Sequence, residues 1–346
     1  MNPPINPSPH EGPRGQELPA YVSNGLIGLR VREIPLIAGM AIVNGVAGEH
    51  PQRRMESALP VPYPLAGDIA IDGVRLSDQP WAVSQLCQEY DFANAELTSS
   101  FTFEACGVRA EIEIVTFASR SASTLVLQEV KVRPDRPCNI ELQAMVDTRG
   151  LRGTLERRLT GTPGEDEAVC DGALLWETDG KLSHCGMTLF TEFTGGDAER
   201  EVREWDAKGP LLTSYRFPLS KGAECRLRQM VAMVPSILHE RPDEEAVRRV
   251  ARARKGGFDS LRDRNRAIWA ELWKSRIVVH GASESHQAII DAAFYYLNAS
   301  VHPASPSSTS IFGLATWSDY HYYYGHVMWD IDAFCIPPLA FIQPDA

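Results

Sequence analysis

The feature that most constrains how this chain folds is a long region in which apolar residues alternate with polar ones. The alternation runs from Asp68 to about Val234, and Ile112 and Ile114, for example, flank Glu113. Successive side chains of a β-strand point to opposite faces, so this pattern predicts strands with one buried and one solvated face. Because no helical pattern separates these strands, they favour a large antiparallel β-sandwich. Strands are predicted at residues 97–103, 108–114, 123–133, 138–146, 186–193, 211–218 and 224–234.

Two stretches in or beside this region have a different pattern. Residues 18–48 combine short apolar runs with Asn-Gly and Gly punctuation, which predicts short strands and a turn. Residues 147–172 are rich in Gly, Thr, Arg and Glu and predict an exposed loop within the sandwich. The Pro-rich start of the chain, residues 1–17, is typical of a flexible arm.

The periodicity becomes helical near Pro242. Acidic residues follow this proline, as suits the positive end of a helix. Apolar residues at helical spacing then predict helices over about 243–255, 258–274 and 285–300. Two tryptophans of the second helix, Trp269 and Trp273, are interpreted as core residues that pack between domains.

Composition excludes several classes of function. The 346 residues carry a formal net charge of −11, whereas a general nucleic-acid binder would show a basic footprint. No apolar run is long enough to cross a membrane, and no secretory leader is apparent. Seven cysteines without CxxC spacing are typical of reduced thiols. We therefore expect a cytoplasmic protein with neither a nucleic-acid nor a membrane partner.

The candidate site is an aromatic stretch near the C-terminus, residues 322–334. It brings Trp329, His326 and the carboxylates Asp330 and Asp332 into a few positions. An aromatic face packs on the C–H face of a pyranose, and carboxylates accept hydrogen bonds from hydroxyls, so the mixture is typical of a sugar site. The alternative is that this stretch forms a half-buried corner of the core, in which the Trp N–H and the Tyr hydroxyls form hydrogen bonds with nearby groups. On a helix the two carboxylates would point to different sides, and Asp330 is the better candidate.

A metal site is a weaker interpretation of the same region. Asp319, His321, His326, Asp330 and Asp332 are suitable ligand types. Their spacing matches no metal motif such as HExxH, so we predict no metal and no organic cofactor. The chain also lacks a GxSxG nucleophile elbow and a phosphate-binding GxxxxGK[ST] loop, which disfavours a serine hydrolase and an NTPase.

The aromatic stretch also resembles a known family. It contains Gly325-His326-Val327-Met328-Trp329-Asp330-Ile331-Asp332, which resembles the Gly-His-x-x-Trp-Asp-x-[Glu/Asp] signature of glycoside hydrolase family 65. Asn24-Gly25-Leu26-Ile27-Gly28 resembles the N-terminal Asn-Gly-x-x-Gly segment of that family. Residues 268–273 resemble its linker helix, and residues 310–314 its Ser-x-x-x-Leu region. The family includes maltose, trehalose and kojibiose phosphorylases, acid trehalases and a glucosidase acting on glucosylgalactosyl-hydroxylysine, and residues 336–346 look closer to the glucosidase branch.

This resemblance implies a fold that is mainly β. It comprises a large antiparallel β-sandwich of the galactose-mutarotase type, a helical linker and the start of an incomplete (α/α)6 barrel. The implied boundaries are a sandwich over residues 18–240, linker helices over 241–281 and the truncated barrel over 282–346. The rest of the barrel would lie in a further segment or on a partner chain, and a homodimer is an alternative.

The resemblance implies an inverting α-glucoside hydrolase or phosphorylase that acts on glucose-containing oligosaccharides. Trp329 and Asp330 would contact the non-reducing glucose, with His326 and Asp332 nearby. The catalytic general acid of the family is a Glu that we expect beyond Ala346, so no catalytic residue is assigned and the isolated chain is expected to be inactive. Inorganic phosphate would be a co-substrate if the enzyme is a phosphorylase. The alternative is a non-catalytic carbohydrate-binding or structural sandwich that needs a partner.

Overall fold

A computed structural model describes residues 20–37, 39–159, 170–203, 209–310, 313–314 and 323–345. The predicted N-terminal arm lies outside the described residues. So do Asp319 and His321, two of the five candidate metal ligands.

The described residues form eighteen strands, numbered in chain order, in four antiparallel sheets. The eight-stranded sheet has the order β13 (Gly153–Leu159), β14 (Gly172–Thr178), β15 (His184–Thr194), β18 (Cys225–Pro235), β11 (Leu125–Pro134), β10 (Val108–Ala118), β9 (Glu96–Ala105), β8 (Val83–Asp91). The five-stranded sheet has the order β16 (Glu199–Val202), β17 (Leu211–Leu219), β12 (Cys138–Asp147), β6 (Tyr63–Ile71), β7 (Val74–Arg75). The two small sheets are β1 (Ala20–Ser23), β2 (Ile27–Val31), β3 (Gly39–Val43), and β4 (Ala47–Glu49), β5 (Glu56–Ala58).

The two large sheets pack face to face around an apolar core. Ile112 and Val130 of the eight-stranded sheet share a buried cluster with Ile69 and Ile140 of the five-stranded sheet. On the outer face of the first sheet, Lys131 of β11 and Glu113 of β10 are directly paired, and their charged atoms are 2.7 Å apart. The predicted mainly β fold with a large antiparallel sandwich is confirmed.

The predicted polar outer face is only partly correct. At the centre of the eight-stranded sheet the outer face is covered by two helices, α1 (Pro242–Gly256) and α2 (Phe258–Leu272). Phe117, Leu127 and Met230 form a buried cluster there with Val247 of α1 and Phe258 of α2. The strands under these helices are therefore apolar on both faces, which two-residue alternation does not describe.

The prediction of a loop over residues 147–172 is wrong for part of that range. Gly153–Leu159 form β13, which pairs with β14 at the edge of the eight-stranded sheet. An edge strand in contact with solvent needs few apolar residues, so its composition looks like that of a loop. Residues 160–169 of the same range lie outside the described residues.

The helical predictions agree with the structure to within a few residues. Gly257, with a φ of 77°, separates α1 from α2, a conformation that glycine adopts without strain. The third helix, α3, spans Glu284–Ala299, and the Ser283 hydroxyl caps its start by accepting a hydrogen bond from the backbone N–H of His286. A fourth helix, α4 (Ile336–Ile342), carries two prolines near its start, and neither has a backbone N–H to donate.

Candidate functional site

The start of the described part of the aromatic stretch is attached to the small β4–β5 hairpin. The ring nitrogen Nε2 of His326 lies 2.7 Å from the carbonyl oxygen of Glu56 on β5. The rings of Tyr324 and His50 meet edge to face, with centroids 4.8 Å apart. A Cβ at Gly325 would lie 2.6 Å from the Ala58 Cβ, so glycine allows this close approach.

The Trp-Asp pair opens a helical segment that contains a π-turn. Residues 331–335 follow the wider π pattern, in which the backbone N–H of Ile336 donates to the carbonyl of Ile331. Ile331 is buried and anchors the turn. Burial, and then the charge of Asp330, raise the pKa of the Cys335 thiol, which indicates that the Asp330 carboxylate is near this residue five positions on. Turns of this kind occur frequently at functional sites.

The four predicted substrate contacts differ in exposure. Trp329 is 67% exposed, and its ring lies 6.0 Å from that of Phe334, centroid to centroid. Asp330 is half-buried, whereas His326 and Asp332 are exposed. The two carboxylates thus occupy different environments on the segment. The role of all four residues in substrate binding stays a prediction.

One buried arginine, Arg120, joins the sandwich to the segments that follow it. Its Nη1 donates to the carbonyl oxygens of Asn298 and Asn24 at 2.8 and 3.3 Å, and its Nη2 donates to Val301 O at 3.1 Å and Gln343 Oε1 at 2.8 Å. Burial lowers the pKa of Arg120 to about 10, which leaves the guanidinium charged at neutral pH. Arg120 therefore positions the ends of α3 and α4 on the sandwich. Sequence reasoning missed it, because an arginine after a strand carries no motif.

The Asn-Gly-x-x-Gly segment lies at the same junction. The Asn24 side chain donates to the carbonyl of Ser119 at 2.7 Å and accepts from the backbone N–H of Ile27 at 2.9 Å. A Cβ at Gly25, whose φ is +89°, would lie 2.2 Å from the carbonyl carbon of Val301. This motif therefore serves close packing of backbone against backbone.

The linker tryptophans are core residues, as predicted. Trp269 is fully buried, and Trp273 donates its indole N–H to the carbonyl oxygen of Phe92 at 2.9 Å. Both belong to an aromatic cluster that also contains Phe294 and Tyr295 of α3. The cluster connects α2 and α3 to the turn between β8 and β9.

Within the described ranges, one group of three side chains has the ligand atoms and proximity that a metal needs. It consists of Glu156, Glu177 and His184, on β13, β14 and β15, and does not include the predicted candidates. His184 Nε2 lies 3.1 Å from Glu156 and 3.4 Å from Glu177, while Lys181 lies 3.3 Å from the other Glu177 oxygen. The Lys181–Glu177 ion pair and polar contacts of the His184 ring account for this arrangement on the surface of the sheet.

None of the helices in the described part of the chain has both the length and the apolar composition to span a membrane. All seven cysteines carry free thiols.

Comparison with known proteins places these features in a family. The profile described as "Glycosyl hydrolase family 65, N-terminal domain" matches residues 14–272. A kojibiose hydrolase of Flavobacterium johnsoniae is 23% identical over 336 residues, which cover 94% of this chain and 46% of that protein. A protein-glucosylgalactosylhydroxylysine glucosidase of Danio rerio is 35% identical over 92 residues, which cover 24% of this chain and 14% of that protein.

A solved structure described as a candidate kojibiose phosphorylase from human microbiome has the same fold. It superposes with a TM-score of 0.75 at 15% identity and covers 92% of this chain and 44% of its own. The chain thus spans about half the length of the curated kojibiose hydrolases it matches. Since the family profile covers well over half of the 346 residues, this chain belongs to glycosyl hydrolase family 65.

Proposed function

We propose that this chain is the part of an inverting α-glucoside hydrolase or phosphorylase that comprises a sandwich (18–240), linker helices (241–281) and the start of a barrel (282–346). Membership of family 65 supports a glycoside-processing role. The names of the relatives, two kojibiose hydrolases and a glucosidase acting on a glucosylated hydroxylysine, favour a glucose-containing disaccharide or glycan as substrate.

The observation that carries the site assignment is the exposure of the Trp329 ring beside the half-buried Asp330. Trp329 and Phe334 are both 67% exposed and their rings lie 6.0 Å apart, so together they form an apolar patch that a ligand or a further element would cover. A glucosyl ring would stack on Trp329, and Asp330 would accept hydrogen bonds from its hydroxyls. His326 and Asp332, on the same segment, would add polar contacts at the rim.

The chemistry of inversion needs a protonated carboxylic acid at the glycosidic oxygen and a nucleophile on the opposite face of the sugar. In hydrolysis a second carboxylate activates water, and in phosphorolysis phosphate itself attacks. We assign the general acid to a Glu beyond residue 346 and invoke no cofactor besides phosphate as co-substrate. A cytoplasmic location and either a homodimer or a partner chain belong to the same proposal.

Calorimetric titration of the chain with kojibiose tests the site. We expect Trp329→Ala and Asp330→Asn each to weaken binding by about tenfold, the loss of one stacked ring or one charge-assisted hydrogen bond. Trp81→Ala is the matched control, because Trp81 is 77% exposed and lies on the sandwich outside the site.

Equal losses in all three variants, or no loss in the first two, would contradict the assignment. The products of kojibiose turnover by the longest natural form of the protein then separate the two reactions. Glucose alone indicates hydrolysis, and glucose 1-phosphate formed in the presence of phosphate indicates phosphorolysis.

A further inference from the structure

A cavity of about 950 Å³ opens at the side of the sandwich, where β14 and β15 of one sheet face β16 and β17 of the other. Its walls include Phe190, Phe193 and Tyr215, and Arg254 of α1 stands at its edge. It shares no residue with the aromatic stretch of residues 323–345. Its volume is at the upper end of the range of about 300–1,000 Å³ found for small-molecule sites.

The floor of the cavity is a hydrogen-bonded network around the buried carboxylate of Asp171. This carboxylate accepts hydrogen bonds from the hydroxyls of Thr191 at 2.5 Å and Thr213 at 2.7 Å, and from Arg200 Nη2 at 2.8 Å. Arg200 Nε donates to the Tyr215 hydroxyl at 3.1 Å. The Thr191 proton goes to Asp171, so the Tyr215 hydroxyl donates to Thr191, 2.8 Å away.

Each hydrogen bond in this network has one assigned donor and one assigned acceptor, so the floor of the cavity is a rigid polar surface. The charge of Asp171 is compensated by Arg200. Burial would lower the pKa of Arg200, but Asp171 and Tyr215 outweigh it and raise that pKa, so this guanidinium stays charged.

The rim of the cavity carries guanidinium groups that take no part in the Asp171 network. Arg203 and Arg254 line the cavity, both are exposed, and among the described residues neither forms an ion pair with a carboxylate. The Arg254 guanidinium lies 5.3 Å above the centre of the Phe190 ring, which holds it at the edge of the cavity. The buried Arg158 adds a fourth guanidinium and donates to the Arg203 carbonyl at 3.3 Å.

Among the described residues that line the cavity, the balance of charge is therefore positive. Four arginines stand there against two aspartates, Asp171 and Asp197, on a protein whose net charge is −11. A concave site of one sign in a low-dielectric wall concentrates ions of the opposite sign. Guanidinium groups match the geometry of phosphate oxygens and bind them in a bidentate manner.

We propose that this cavity is a second ligand site, separate from the glucoside site, which binds a small phosphate monoester. The phosphate lies between Arg203 and Arg254, and the body of the ligand lies over the Phe190 and Phe193 rings and the Asp171 network. The free anion and the monoester share this chemistry, and the rings and polar floor favour the monoester.

Calorimetric titration at low ionic strength with glucose 6-phosphate, inorganic phosphate and glucose tests this site. We expect glucose 6-phosphate to bind more tightly than inorganic phosphate, and glucose alone not to bind in the cavity. Arg203→Gln and Arg254→Gln should each weaken binding by about tenfold, the loss of a charge-assisted contact. Arg252→Gln is the matched control, because it removes the same charge from α1 at an exposed position outside the cavity.

Both rim arginines are exposed, so their substitution should leave the melting temperature and the binding of kojibiose unchanged. This separates a failure of the phosphate site from a failure of the proposed function. Inorganic phosphate binding that is as tight as that of glucose 6-phosphate would overturn the monoester assignment. Equal losses in all three glutamine variants, or no binding of either phosphate probe, would overturn the site itself.

Discussion

At the scale of single residues, buried charges hold the helices on the sandwich. Glu96 of β9 accepts four hydrogen bonds of 2.6 to 2.9 Å from Arg262 and Arg266 of α2. Its side chain is 6% exposed, so an unpaired charge at this position would strongly destabilise the folded protein. Arg120 has the corresponding role toward α3 and α4. Neither residue belongs to a sequence motif, although each fixes how the elements meet.

Glu96→Gln should destabilise the protein by about 2 kcal/mol at neutral pH, because it removes a charge that two arginines bind. Burial alone would raise the pKa of Glu96, but Arg262 and Arg266 outweigh it and hold that pKa below its ordinary 4.5. A lowered carboxyl pKa contributes stability that is present above pH 4.5 and is lost as the pH falls through the lowered value. The difference between wild type and variant in urea unfolding should therefore shrink as the pH falls below 4.5.

The matched control is Glu104→Gln on the same strand, whose side chain is 63% exposed. It should change the free energy of unfolding by less than about 0.5 kcal/mol at any pH. A difference between wild type and Glu96→Gln that does not vary with pH would show that the ion pairs contribute nothing.

Arg120→Ala should lower the free energy of unfolding by about 3 kcal/mol, because four acceptors would lose a buried charged donor. Hydrogen exchange should increase at the ends of α3 and α4, where three of those acceptors lie. Arg109→Ala, at an exposed arginine of β10, is the control and should have little effect. If both variants unfold at the same urea concentration, Arg120 does not join these segments.

At the scale of elements, the limits of many strands and helices can be predicted from nearby residues. The way in which the helices pack on the sandwich cannot. The alternation in β10 predicts a strand, and the acidic turn and the later glycines predict α1. The edge strand β13 has no such pattern, and its composition wrongly predicted a loop.

In the candidate site, Trp329 and Asp330 could be selected by residue type and by family resemblance. The π-turn that follows them, with its buried Ile331, has no signal in the sequence pattern.

Docking of α1 on the sandwich requires a glycine on β15. A Cβ at Gly186 would lie 2.1 Å from the carbonyl carbon of Pro242, which is backbone and cannot rotate away. Gly186→Ala should therefore destabilise the protein by about 3 kcal/mol, as measured by urea unfolding. The matched control is Gly256→Ala at the end of α1, where the added Cβ meets only the flexible tip of Arg264 at 3.1 Å. We expect that control to be neutral or slightly stabilising, and a similar loss in both variants would contradict the packing argument.

At the scale of the whole molecule, the sandwich and the helices share their cores. One buried cluster contains strand residues together with Val247 and Phe258, and another joins Phe92 to residues of α2 and α3. Elements that share a core cannot lose it independently. This continuity makes the described residues between 20 and 299 one structural unit, despite the change from strands to helices near Pro242.

We therefore expect residues 20–299 to unfold in a single transition in urea. Circular dichroism reports the helices, and tryptophan fluorescence reports the seven tryptophans together, among them Trp176 of the sandwich core and Trp269 of α2. The two signals should give the same midpoint. A separate early loss of helical signal would mean that α1–α3 are only loosely attached.

The amino-acid pattern alone determined the mainly β class and the helices after Pro242, whereas the candidate sugar contacts, selected by residue type and family resemblance, stay a prediction. The fold class and the helices depend on local rules, namely side-chain direction, capping and residue chemistry. The tertiary structure decided the contacts that join the parts. Arg120 and Gln343 are separated by 223 positions, and Glu96 and Arg262 by 166. The cavity between β15 and β17 likewise gathers arginines from strands and a helix. No short-range pattern encodes these contacts, because each exists only once the chain has closed around its core.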